Sequence, residues 1–227
     1  MAVLCRPHRL LFLLNPRTAG SAVARTLVDE LDGEWLPAED IVDEQGRVVF
    51  QAKHNTVPDL LGWDVLQPAD LDGLTVFTTV RNPFDSMVSL YLKLRERYRQ
   101  YLDDPGSWLY LNPRMVEMVR YCQDHGFGQW VRRYYWRSAL ATLLKGARHS
   151  INERYLEHTT HVMRFEHLQE DFDQVLRDAG VDRRVEIARF NPTENKTRGY
   201  RDYYDPVARW IIATTFRDDI RRFNATF

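Results

Sequence analysis

The chain alternates short, wholly apolar runs with longer stretches in which apolar residues recur every three or four positions, which predicts strands and helices in turn. Leu10-Leu11-Phe12-Leu13-Leu14 is a continuous apolar run of strand length, the pattern of a strand covered on both faces. Polar residues from Asn15 to Gly20 interrupt it, and Val23, Leu27, Val28 and Leu31 then fall at helical spacing. The unit is strand, tight polar loop, helix. It recurs at Leu74 to Val80 (LTVFTTV), a β-branched and aromatic run followed by Arg81-Asn82-Pro83 and a helix whose Met87, Tyr91, Leu94 and Tyr98 share one face. Pro83 suits the first turn, because the N–H it lacks is one a helix leaves without an internal partner anyway. His161 to Glu166 reads as a third strand, leading into a helix from about Leu168 to Ala179 that Gly180 can close. Asp205-Pro206 opens a last helix with Val207, Trp210, Ile211, Ile220 and Phe223 turned inward. Residues 103–150 read as helical and aromatic-rich after the turn-forming Asp103-Asp104-Pro105-Gly106.

Strands alternating with helices predict the α/β class: a single domain over residues 1–227, with a central, mainly parallel β-sheet flanked by helices. The 227 residues suffice for a sizeable core, and 44% apolar with 28% charged residues is a globular balance. A net charge of -1 from 31 basic and 32 acidic residues gives no general attraction for nucleic acid or anionic membrane. Cys5 and Cys122 are the only cysteines, too few for a disulfide framework and without metal-site spacing. The apolar run at 10–14 falls far short of the ~20 residues that span a bilayer, and Pro16-Arg17 follow it where a signal peptide would carry small residues. These features predict a cytoplasmic protein with no membrane span, and none of them encodes an oligomeric state.

Two loops carry the chemistry. In the first, Pro16-Arg17-Thr18-Ala19-Gly20-Ser21 leads into a helix N-terminus, where backbone N–H groups and the positive end of the dipole suit phosphate. Gly20 allows close backbone approach, Thr18 and Ser21 add hydroxyl donors, and Arg17 adds fixed charge. An ordinary βα turn is the plainer reading, and the Walker pattern G-x-x-x-x-G-K-[ST] is absent. In the second, Arg81 ends a strand and Ser89 lies two turns into the next helix. Arg81 there suits a second phosphate, with Ser89 able to donate to it. Between the two loops, His54 in Gln51-Ala52-Lys53-His54-Asn55 is either a solvated loop histidine or a general base, since an imidazole can take a hydroxyl proton near neutral pH. Lys53 beside it adds charge. His158-Thr159-Thr160-His161 offers two imidazoles with no third ligand at matching spacing, so no metal site is expected. Trp130, in the aromatic and basic stretch from Trp130 to Arg137, either walls an acceptor pocket or belongs to a buried helix face. Trp108 and Tyr110, on the turn-rich segment, are lid candidates over an acceptor.

Taken together, the two loops resemble the cosubstrate site of the P-loop-NTPase-like sulfotransferases, which use 3′-phosphoadenosine-5′-phosphosulfate. Residues 15–23 resemble that family's 5′-phosphosulfate loop, commonly P-K-T-G/A-G-S/T, and residues 81–91 its 3′-phosphate motif, R-N-P-x-D-x-x-x-S-x-Y. Phe165-Glu166-His167-Leu168 is similar to the Y/F-E-D/N-L segment whose aromatic lies against adenine. Asn195-Lys196-Thr197-Arg198-Gly199-Tyr200, then Tyr203-Tyr204-Asp205 and the closing helix, are similar to the end of carbohydrate-type and bacterial members. Lys53-His54 looks like the family's K-x-H or K-H catalytic segment. The resemblance implies donor binding by Arg17, Thr18, Ala19, Gly20, Ser21, Ala22, Arg81, Ser89, Phe165, Lys196, Arg198 and Gly199, with His54 and Arg17 catalytic and no metal required. Lys53, Trp108, Tyr110 and Trp130 would face the acceptor, a carbohydrate or other small molecule bearing a hydroxyl. The product nucleotide would be 3′-phosphoadenosine 5′-phosphate. Arg17 stands where the family usually has Lys, which keeps a catalytically silent nucleotide-binding module open as an alternative. A P-loop kinase of a small metabolite is the other; it needs a Walker Lys and a Mg²⁺-holding Ser/Thr at the first loop.

Overall fold

A computed structural model describes residues 2–188 and 198–227. In chain order its main elements begin with β1 (Ala2–Cys5), β2 (Leu10–Leu13), α1 (Gly20–Glu30), β3 (Glu34–Leu36), β4 (Ile41–Val42) and β5 (Val48–Phe50). They continue with α2 (Val57–Gly62), β6 (Thr75–Val80), α3 (Pro83–Leu92), α4 (Pro113–Asp124) and α5 (Phe127–Lys145). The last are α6 (Glu153–Leu156), β7 (His161–Arg164), α7 (Leu168–Asp178), α8 (Pro206–Thr215) and α9 (Arg217–Arg222). They fall into two compact units, one of Met1–Arg81 with Asn152–Glu194 and one of Asn82–Ile151 with Asn195–Phe227.

The first unit is built on a five-stranded sheet in the order β3-β1-β2-β6-β7. The apolar runs are continuous because both faces are covered. Val3, Leu10, Phe12 and Phe77 pack with Val23 and Leu27 of α1 and Phe172 and Val175 of α7 on one face. Their sequence neighbours Ala2, Leu4, Leu11 and Leu13 pack with Val57 and Leu60 of α2 on the other. The period of two along each strand sorts the residues between the two layers.

The sheet is mixed, which corrects the expectation of a mainly parallel one. β2 pairs parallel with β6, and β6 with β7, but β1 pairs antiparallel with both β2 and β3. The reason is local: a short 3₁₀ turn, Arg6–His8, joins β1 to β2, and so tight a connection returns the chain only antiparallel. The parallel core of β2, β6 and β7 is the part that matters for the site, since its three carboxyl ends lie at one edge of the sheet.

The second unit is helical. α5 and α8 pack along each other, and α3 and α4 close over the same apolar cluster. Trp130 is fully buried there, its ring 5.7 Å from Tyr91, 5.8 Å from Phe127 and 5.3 Å from Tyr135. This corrects its assignment to an acceptor wall, because no face of the indole reaches solvent. The last helix is broken at Phe216 into α8 and α9. Asp219, buried at 2% exposure, accepts hydrogen bonds from the Ser150 hydroxyl (2.6 Å) and the Ile151 N–H (2.9 Å).

Cys5 and Cys122 are unlinked and buried, and desolvation pushes both thiols up to about 12, so they stay protonated. Among the described residues no helix is long and apolar enough to cross a membrane, and no group of three or more metal-ligating side chains gathers.

Trp130→Ala should destabilise the protein by ~3–5 kcal/mol, the scale of deleting a buried aromatic, as read by urea denaturation. A loss below about 1 kcal/mol would return Trp130 to the surface.

Candidate functional site

The site grows from the carboxyl end of β2. Asn15, buried directly after the strand, donates from Nδ2 to the Thr79 carbonyl of β6 (2.9 Å) and to the Asn152 side-chain oxygen (2.8 Å). Thr78 adds a hydroxyl bond to the Leu13 carbonyl (2.8 Å). These bonds replace water for polar groups that the sheet edge buries, and they fix where the loop begins.

The loop itself is strained. Arg17 and Ala19 both sit in the left-handed region, at φ 71° and 61°, which costs a non-glycine residue about 1–3 kcal/mol and persists where the surroundings over-determine it. Ala19 is the N-cap of α1 and offers no capping side chain, while the first N–H groups of any helix lack intrahelical acceptors. Left-handed turns leading into such a terminus turn successive N–H groups towards a concave anion site. A Cβ on Gly20 would lie 3.4 Å from the Asn15 carbonyl oxygen and 3.6 Å from Leu14 Cα, so the loop folds closely back on its own strand.

The two hydroxyls of the loop differ. Ser21 is exposed. Thr18 is buried, donates to the Asn15 carbonyl (2.8 Å) and pairs with the Thr79 hydroxyl, so it shapes the loop from within. Ala22 is buried under the loop.

Arg81 and Phe165 come together because β6 and β7 run parallel with Val80 opposite Arg164. Each stands one residue past a strand end. Arg81, only 6% exposed as a residue, donates from its guanidinium to the Arg17 carbonyl (3.0 Å) and lies 4.1 Å from the Phe165 ring centroid. A buried cation held by a carbonyl dipole and an aromatic face is thereby placed against the strained loop.

His54 joins the same loop from a different direction. Its Nδ1 lies 3.2 Å from the Leu14 carbonyl, and since a carbonyl only accepts, Nδ1 is the donor in this bond. His54 is also left-handed, at φ 65°, and its carbonyl accepts from the Tyr155 hydroxyl (3.0 Å). Burial pushes that hydroxyl up to about 12, so it remains a donor. The segment after it is pinned by a capping box: Thr56 caps α2 and Asp59 accepts from the Thr56 N–H (2.9 Å), the Thr56 hydroxyl (2.7 Å) and Arg154 (3.0 Å). Lys53 is exposed.

The remaining candidates lie in the helical unit. Ser89 is buried in α3. Trp108 is 46% exposed and meets Tyr98 and Tyr101 edge-on at 5.0 and 5.5 Å. Tyr110 donates to the Leu102 carbonyl (2.8 Å) and lines an open groove of about 490 Å³ with Glu117, Tyr121 and His125. Arg198 is exposed and Gly199 caps the turn Tyr200–Tyr203, while Lys196 lies outside the described residues. The structure adds Asn152 and Tyr155, supports for the loops that no motif singled out, and gives Asn15, the first residue of the first motif, a supporting role. An Asn before Pro16 and an Asn before Glu153 are cap-like signals, yet neither identifies its distant partner.

A model of the sulfotransferase family matches residues 2–225. No curated protein and no solved structure matches significantly.

Asp59 gives the loop a pH signature. Burial raises its carboxyl, but the Thr56 hydrogen bonds and the Arg154 charge outweigh burial and hold it below the ordinary 3.8. A depressed carboxylate contributes stability above its unfolded value, and that contribution is lost as pH falls through the folded one. Asp59→Asn should therefore lose less stability than the parent protein when acidified below about pH 4, measured by urea midpoints across pH. Parallel acid limbs would mean that the capping box is not stabilising.

Proposed function

Given that the chain belongs to the sulfotransferase family, a family of transferases that move a sulfuryl group, we propose that it takes this group from 3′-phosphoadenosine-5′-phosphosulfate and delivers it to a hydroxyl of a small-molecule or carbohydrate acceptor. The observation that carries the proposal is the gathering at the end of β2 of three residues from distant parts of the chain: Arg81 on the Arg17 carbonyl, Phe165 against Arg81, and His54 on the Leu14 carbonyl that leads into the loop. Arg81 and Phe165 match two motifs of the family's cosubstrate site, and His54 matches its catalytic segment.

In this reading the donor supplies an activated sulfuryl group on a phosphate leaving group, and the protein supplies position and charge. The N–H groups at the start of α1, with Gly20 and Ser21, hold the 5′-phosphosulfate. Thr18 acts indirectly, by holding the loop in its left-handed turns. Arg81 holds the 3′-phosphate and supports Phe165, whose outer face takes the adenine; Ser89, Arg198, Gly199 and Lys196 are assigned to the nucleotide on their motifs. His54 accepts the acceptor's hydroxyl proton at Nε2 as the oxygen attacks sulfur and the sulfur–phosphate oxygen bond breaks. Arg17 balances charge on the departing phosphate in place of the family's usual Lys. Arginine keeps its charge at all working pH, so this role needs no proton from it. Lys53, Trp108 and the groove beside Tyr110 are the proposed acceptor contacts.

The family match runs through both units, which supports treating residues 1–227 as one functional domain with a P-loop-like donor site.

Two substitutions separate binding from chemistry. Arg81→Ala should weaken 3′-phosphoadenosine 5′-phosphate by about 1.5–3 kcal/mol, the scale of a charge-assisted hydrogen bond, and leave AMP nearly unchanged by calorimetry. His54→Ala should keep nucleotide binding and lower kcat by about 10²–10⁴-fold, the usual size of a general-base contribution. Equal loss for AMP would make Arg81 structural, and normal turnover would move the base away from His54.

A further inference from the structure

Thr226 and Phe227 join two segments of the helical unit that are far apart in sequence. The first is the start of α3. Asn82 caps that helix, its Oδ1 accepting from the Phe84 N–H (3.0 Å), and its Nδ2 donates to the Thr226 carbonyl (2.7 Å). The second is the turn Tyr200–Tyr203, which follows Gly199 directly. The Tyr200 hydroxyl donates to the same Thr226 carbonyl (3.2 Å), and Arg201 donates to the Phe227 main-chain oxygen (2.9 Å).

The Phe227 ring completes the joint. It meets Phe84 at 5.0 Å and 80°, Tyr204 at 5.4 Å and 89°, and Tyr200 at 6.1 Å and 85°. These are edge-to-face arrangements, the favourable alignment of ring quadrupoles. The Arg209 guanidinium lies 4.1 Å from the ring centroid. Tyr204 closes the circuit by donating to the Phe84 carbonyl (2.9 Å).

We infer that Phe227 is a positioning residue for nucleotide binding: it fixes the first turn of α3, and with it the direction of Ser89, against the turn that carries Arg198 and Gly199. The inference rests on the donor site proposed above. Ser89 lies in the same unbroken helix as Phe84, so any tilt of the first turn is passed on to it. Phe84 is 3% exposed, and its ring loses an edge-to-face partner when Phe227 is truncated. Asn82 ties the same turn to the Thr226 carbonyl, and the Phe227 ring packs the joint between Phe84, Tyr200 and Tyr204.

Calorimetry on the full chain with 3′-phosphoadenosine 5′-phosphate and with AMP tests this. Phe227→Ala should weaken the 3′-phosphate nucleotide about tenfold, roughly 1.4 kcal/mol, with AMP changed less than about twofold. Phe227→Tyr keeps the ring and should restore affinity. Phe227→Leu keeps most of the buried volume, guards against simple unfolding, and should show the same selective loss at smaller amplitude. Equal loss for both nucleotides, or unchanged affinity in Phe227→Ala and Phe227→Leu while the parent protein binds the 3′-phosphate nucleotide, overturns the positioning role alone. A parent protein that does not prefer the 3′-phosphate nucleotide over AMP overturns the donor reading, and the positioning role with it.

Discussion

A buried arginine organises the carboxyl end of the parallel strands. Arg81 is withdrawn from water, and a charge in that position is tolerated only where dipoles and neighbouring groups replace the lost hydration. The replacement comes partly from the Arg17 carbonyl and the face of Phe165. Both partners gain by it: the carbonyl of a left-handed residue is held in place, and an aromatic ring beyond a strand end keeps one face covered. The parallel register of β6 and β7 brings Arg81 and Phe165 level, and the parallel pairing of β2 with β6 brings the loop to them. Sheet topology and site geometry are thus one constraint seen at two scales.

Around this centre the chain invests in polar supports rather than in further charge. Asn15 joins the loop to β6 and to the start of α6, and Tyr155 holds the backbone of His54 from below. Removing one partner of such a buried bond costs more than the bond contributes, since the other is left without water. A loop with two left-handed non-glycine residues needs supports of this kind to stay in a single conformation. Such preorganisation serves transfer chemistry, where donors fixed before reaction need not reorganise as charge develops.

Much of this frame was legible in the sequence, for physical reasons that also explain what was not. The runs at 10–14 and 74–80 contain β2 and β6, because strands buried on both faces leave an uninterrupted apolar or β-branched signature; residues 161–166 contain β7, an edge strand of which only Met163 is buried. β1 escaped notice: Ala2–Cys5 is four residues long and separated from β2 by one short turn, and its antiparallel pairing made the sheet mixed. The two motif-bearing loops were recognisable as loops because their residues lie consecutively along the chain. The bond between Asn15 and Asn152, 137 positions apart, has no local signature at all. Thr18 illustrates the limit within a motif: its presence in the loop is readable, but the inward turn of its hydroxyl is set by Thr79 on another strand. Trp130 illustrates the limit of composition, since an indole beside arginines reads alike in a core and in a ligand wall until its neighbours are known.

Turnover separates sulfuryl transfer at the arrangement around Arg81 from nucleotide binding alone. The direct measurement supplies 3′-phosphoadenosine-5′-phosphosulfate labelled in its sulfuryl group, with a panel of sugar, phenol and other hydroxyl acceptors, and follows both products by chromatography. The account predicts equimolar appearance of 3′-phosphoadenosine 5′-phosphate and labelled acceptor, abolished when acceptor is omitted and strongly slowed in His54→Ala. Donor that binds the protein yet keeps its label with every acceptor in the panel would contradict it.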